Sequence, residues 1–171
     1  MLFFIACKND LNEAKKFADP KNASIEESKD IKLIHKELGV TNAIITAPLM
    51  YRYTKEERRI TFPEGLTVEL YQDGTPTVII KAGYGKRDEG RHLLEMSKGI
   101  KMKNYKKEEI EADSLTWEES KATISIQGQV RIKTPTDIIQ GYGLVSDDNF
   151  RNYTLQRITG VVQVKGNNVP E

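Results

Sequence analysis

Apolar and polar residues alternate along most of the chain, most clearly between Gly65 and Lys103. Val68 and Leu70 alternate with Thr67, Glu69 and Tyr71, a period of two that sends apolar side chains to one face of a strand. Gln72-Asp73-Gly74-Thr75-Pro76 turns the chain, and Val78, Ile80 and Ala82 alternate with polar residues on the way back. Gly83 and Gly85 interrupt that strand, and Lys86 to Gly90 forms a charged turn. Leu94, Met96, Ile100 and Met102 share one parity of the next strand. Upstream, a strand with Ile31 and Leu33 starts near Asp30, turns at Leu38-Gly39 and returns as Val40 to Tyr53, where Pro48 predicts an edge position or a bulge. Downstream, Ile110 to Trp117 shifts parity near Ser114, and Ile124, Ile126, Val130 and Ile132 alternate cleanly. Ile138 to Val145 and Tyr153 to Val164 complete at least nine predicted strands. Short charged turns between them predict antiparallel pairing in an all-β domain, with two facing sheets built from repeated hairpins.

The hairpins repeat. Ile-x-small steps occur at Ile45 to Ala47, Ile80 to Ala82, Ile110 to Ala112 and Ile139 to Gly141. Each is followed by a glycine and renewed alternation, at Gly65, Gly99, Gly128 and Gly160. The period of about 30 to 35 residues suits a strand, a turn and a returning strand. The small residues are expected where backbones bend or approach closely.

The net charge of +1 supplies no field for nucleic acid. The single cysteine, Cys7, rules out an internal disulfide framework. It follows the apolar run Met1 to Ala6, which resembles the end of a bacterial lipoprotein signal, with Cys7 as the lipidated residue. The run lacks a positive leading segment and is shorter than a usual signal core. Residues 1–7 are therefore expected to be the signal remnant, 8–29 a flexible tether, 30–165 the folded domain and 166–171 a disordered tail.

Catalytic and cofactor signatures are absent from the sequence. Gly85-Lys86 is followed by Arg87 and does not complete a phosphate loop. His35 and His92 lack metal-ligand spacing, so neither a metal nor another cofactor is expected. Glu108, Glu109, Glu111 and Asp113 read as solvated charge on an outward face rather than a catalytic pair. Trp117 reads as a core or rim aromatic, and Tyr84, Tyr142 and Tyr153 as rings able to stack on sugars.

Phe62 to Tyr71, the Asp73-Gly74 turn, the returning hairpin Ala82 to Gly99 and Leu115-Thr116-Trp117 together resemble LptC, the periplasmic C component of the lipopolysaccharide-export transporter. Ile139 to Phe150 followed by Tyr153-Thr154-Leu155 resembles the closing segment of that family, and the likeness spans about Asp30 to Val164. It implies a twisted antiparallel β-jelly roll, OstA/LptA-like, that is not an enzyme. It also implies that the inside of the roll receives acyl chains of lipopolysaccharide from the inner-membrane ABC transporter and passes them to the periplasmic bridge. The partners implied are the transporter's LptF/LptG-like jelly rolls and an LptA-like bridge, joined through edge strands. Asp30 to Lys36 is the candidate transporter-side edge and Tyr153 to Val164 the bridge-side edge. The implied location is the periplasm, attached to the inner membrane. Where the family usually carries a membrane-spanning helix, this chain has Cys7.

Val68, Leu70, Val78, Ile80, Met96, Met102, Ile124, Ile126 and Val130 are the candidate lining of the lipid groove. The same parity suits a closed core, and alternation alone does not separate the two. The alternative reading is a carbohydrate-binding or adhesive β-sandwich lipoprotein that uses its outer faces.

Overall fold

Alternation with a period of two produces eleven strands in the computed structural model, which describes residues 25–54 and 58–163. They are β1 (Ile25–Glu37), β2 (Val40–Tyr53), β3 (Arg59–Phe62), β4 (Leu66–Gln72), β5 (Thr75–Ala82), β6 (Tyr84–Asp88), β7 (Leu93–Asn104), β8 (Glu109–Glu118), β9 (Thr123–Lys133), β10 (Asp137–Asp147) and β11 (Tyr153–Gln163). One 3-10 turn, Glu119–Lys121, joins β8 to β9.

Every pairing is antiparallel, and the order is simpler than eleven strands imply. β3 and β4 lie end to end along β2, with Tyr51 to Tyr53 facing β3 and Ala43 to Thr46 facing β4. β5 and β6 likewise lie end to end between β4 with β3 on one side and β7 on the other. Each pair is one strand with a break, so nine long strands follow one another in sequence order, with β1 and β11 at the edges.

The break recurs in neighbouring strands and forms a crease. Residues Asp30, Lys98 and Gly99 have positive φ, and register shifts fall between Ser97 and Ile100, between Ala112 and Thr116, and between Tyr142 and Leu144. Pro48, which has no N–H to donate, sits in the gap of β2 between the residues paired with β4 and those paired with β3, while the register with β1 is unbroken there. Gly65 is at the same level with φ +87°, and a Cβ there would stand 2.6 Å from the Ala82 carbonyl oxygen. The crease divides the sheet into two halves that fold over one another as a jelly roll. The recurring Ile-x-small steps end at this crease: Ala47, Ala82 and Ala112 are its last residues on one side. The expected repeat is therefore the spacing between successive bends of the same sheet.

The first strand begins at Ile25 rather than near Asp30, so residues 25–29 pair with β2 instead of belonging to the tether. Neither face of that segment is buried, so no alternation announces it; backbone pairing alone makes it a strand. Cys7, the remainder of the tether and residues 164–171 lie outside the described residues. Among the described residues, no helix is long and apolar enough to cross a membrane.

Candidate functional site

The inner face of the first half-sheet carries one residue per strand in a continuous cross-strand row. It runs Leu33, Ile45, Val68, Ile80, Met102, Ile110, Ile132, Ile139 and Val161, each paired with the next. All nine are apolar. The row reaches both edges: Leu33 is partly buried in β1 and Val161 is exposed in β11.

On the second half-sheet the row nearest the strand ends reads Glu26, Arg52, Ile60, Arg87, Leu94, Trp117, Ile124, Ser146 and Tyr153. Two arginines thus share the face that elsewhere buries Leu94 and Ile124. Arg87 donates from Nε and Nη2 to the two carboxylate oxygens of Glu119 at 2.6 and 2.7 Å. That side-chain bond raises the Arg87 pKa above its usual value, against the effect of burial. Arg52 binds both oxygens of Glu89, at 3.0 and 3.3 Å, and His92 Nδ1 lies 3.9 Å from Glu119.

The two half-sheets meet differently along their length. At the β1–β2 end a cavity of about 190 Å³ separates them. Leu33, Ile34, His35, Ala43 and Ile45 line it from the first half, and Met50, Arg52, Ile60, Arg87, Glu89, Trp117 and Glu119 from the second. At the far end the turn after β10 closes the gap. Lys106 Nζ, between β7 and β8, donates to the Arg151 carbonyl at 2.8 Å, and the Tyr153 hydroxyl reaches Glu108 at 3.4 Å. Phe150, at the tip of that turn, is fully buried in the core and meets the Tyr153 ring at 5.3 Å between centroids. Asp148 is half-buried in the same turn. Burial pushes its carboxyl above the usual range, helped by Asp147; the indole N–H of Trp117 opposes this weakly, without closing a well-formed hydrogen bond.

The nine expected lining residues all lie in this interior, and each is 0–3% exposed. Val68, Ile80 and Met102 belong to the apolar row, Leu70 and Val78 pair beside it, and Met96, Ile124 and Ile126 come from the second half. Val130 lies on β9 next to the crease. The sheet brings them together in one buried apolar cluster. Leu33, Ile45 and Trp117 at the cavity were not among them, nor was Phe150. The row register finds the first two, because each lies opposite a residue that alternation had already marked.

Residues considered for other chemistry have structural partners. Glu109 lies 3.6 Å from Lys103 and 3.7 Å from Lys133, Glu111 lies 3.2 Å from Arg131, and Glu108 accepts from Asn104 at 2.6 Å. No group of three or more metal-ligating side chains occurs among the described residues. Arg157 covers the Tyr142 ring at 4.5 Å, and Gln129 donates to its hydroxyl at 2.6 Å.

A family model described as lipopolysaccharide-assembly, LptC-related, matches residues 12–163. The chain belongs to the LptC family. As an LptC-family protein it is a component of lipopolysaccharide transport. No relative matches among the curated proteins. Among solved structures the chain is similar to LptH, the LptA-homologous periplasmic component of the conserved lipopolysaccharide transport device from Pseudomonas aeruginosa. Identity is 9%, the TM-score is 0.44, and the match covers 82% of this chain and 93% of that one. At that distance no residue role carries across.

Proposed function

We propose that this LptC-family protein is a non-enzymatic passage for lipopolysaccharide, whose acyl chains travel between the two half-sheets. The observation that supports this most is the row of nine apolar residues running from one edge strand to the other without a polar interruption. A closed core needs burial only in its middle, yet here the row continues to the exposed Val161. Each methylene moved from water into such a surface gains about 0.8 kcal/mol, so several acyl chains outweigh any single polar contact. The row offers no hydrogen-bonding side chain to fix one pose, and the unbranched Met102 adapts to varied chains. Lipid enters at the β1–β2 end, where the cavity already separates the halves, and wedges them apart as it advances. No nucleotide site was found in the sequence, so the energy for movement comes from a partner.

The outer edges of β1 and β11, which pair with no further strand among the described residues, receive strands of neighbouring jelly rolls, the transporter's LptF/LptG-like rolls at β1 and an LptA-like bridge at β11. The location is the periplasm, held at the inner membrane by lipidation of Cys7. A photo-crosslinking residue at Ile126 should capture lipopolysaccharide in cells with an active exporter, and absence of any adduct would refute the passage. Loss of fatty-acid labelling in Cys7→Ala tests the anchor.

A second reading, saccharide binding on the outer face, is favoured by a depression of about 430 Å³ beside the crease, lined by Asp113, Gln129, Gln140 and Tyr142. It ranks lower because the Tyr142 ring and hydroxyl are already engaged. Tyr142→Ala should leave lipopolysaccharide capture at Ile126 intact under the passage and abolish binding under this alternative.

A further inference from the structure

We propose that the turn of residues 147–152 is a lid, with Phe150 occupying the end of the interior that acyl chains fill when lipid passes toward β11. The inference rests on the passage described above and names its gate.

Several observations converge on this turn. It is polar except for Phe150, in the run Asp147-Asp-Asn-Phe-Arg-Asn152. Phe150 is nonetheless among the largest fully buried side chains of the protein. Its φ of +55° lies in the left-handed region, which a bulky side chain adopts only when its surroundings impose it.

The attachments of the turn are few and polar. Lys106 reaches the Arg151 carbonyl from the first half-sheet, and the Asp148 N–H donates to Ala122 at 2.9 Å on the second. Ser146 Oγ near the end of β10 donates to the Asp147 and Asn152 carbonyls at 2.8 and 3.0 Å, and Asp147 still pairs with Thr123 of β9. Bonds internal to the turn include Phe150 N–H to the Asp147 carbonyl at 3.1 Å and Arg151 N–H to the Asp147 carboxylate at 2.8 Å. A unit with its own internal bonds, hinged where β10 ends beside Ser146, can swing out once the Phe150 ring, the Lys106 bond and the Asp148–Ala122 bond are released. It also spans the gap between the half-sheets next to β11, the edge at which lipid must leave. A hydrocarbon tail arriving at that end replaces the contacts the ring gives up, so the exchange of ring for tail needs no new chemistry.

The test uses the full chain with Phe150→para-fluorophenylalanine, and separately a photo-crosslinker at Ile126, each mixed with purified lipopolysaccharide. The expected result is an adduct at Ile126 together with a shifted fluorine resonance that becomes accessible to a soluble paramagnetic quencher. An adduct with an unmoved, protected fluorine signal would overturn the lid and leave the passage standing. No adduct at Ile126 would remove the passage and the lid with it. Without lipid, Lys106→Met should speed hydrogen exchange of the Asp148 amide, whose bond to the Ala122 carbonyl must break when the turn swings out, by about tenfold and leave the Ile110 amide unchanged. Equal rates in parent and variant would show that the lysine holds no lid.

Discussion

The two half-sheets are made of the same strands, yet their inner faces differ. In the first half, one cross-strand row is apolar at every strand from Leu33 to Val161. In the second, the row at the strand ends alternates between Arg52 or Arg87 and residues such as Ile60 and Leu94, and ends at Ser146 and Tyr153. The first half is a continuous hydrocarbon surface. The second carries the ion pairs at one end and the Phe150 turn at the other, the two places where the proposed passage would open. A jelly roll used only as a scaffold has no need for that division.

The comparison is tested most severely in the apolar row. Ile110→Ala should cost about 2–5 kcal/mol in urea unfolding, because Ile110 is fully buried between Met102 and Ile132. A cost under about 1 kcal/mol would mean that the row is already loosely packed. On the second half, Glu119→Ala should cost about 2–3 kcal/mol by leaving the mostly buried Arg87 with only Glu89, 4.0 Å away, as a counter-charge. Replacing both, Arg87→Met with Glu119→Leu, should recover most of that loss. Recovery would show that the pair is not retained for stability. At the crease that joins the halves, Gly65→Ala should cost about 2 kcal/mol, since the new Cβ meets the Ala82 carbonyl and φ is positive.

The smallest effect is expected at Asp148, and it depends on pH. Burial raises its folded pKa above the ordinary 3.8, so the folded state loses stability as pH rises through the raised value. Asp148→Asn should therefore be the more stable protein at neutral pH. Its advantage should fade as pH falls and vanish below about 3.8, as followed by thermal unfolding of both proteins across that range. A constant difference at all pH values would mean that the carboxyl is not the cause.

Much of this architecture was legible in the residues. Alternation located most strands from Val40 onward, and Pro48, Gly83, Gly99 and Ser114 marked where they bend. It missed β6, because Lys86 to Asp88 read as part of a charged turn, yet they pair with β3 and β7. Those marks did not reveal that all the bends align in one crease, because alignment is a property of pairing between strands and not of any one strand. β1 was legible only in part, since its first five residues bury nothing and leave no periodic trace. Phe150 was hidden for a related reason: a lone aromatic in a polar turn has no neighbours to form a pattern with. The nine candidate lining residues are all buried, but parity reports a face and not a gap. It could not distinguish the packed middle of the interior from the cavity at Leu33 and Trp117.

Val78 and Ile79 are adjacent in β5, both are apolar, and they point to opposite sides of the sheet; Val78 is 1% exposed and Ile79 40%. Photo-crosslinkers placed at each in turn, in cells with active lipopolysaccharide export, separate the interior from the outer surface with chemistry held constant. The account predicts a lipopolysaccharide adduct at position 78 and none at 79. Equal labelling at both, or labelling at 79 alone, would contradict it.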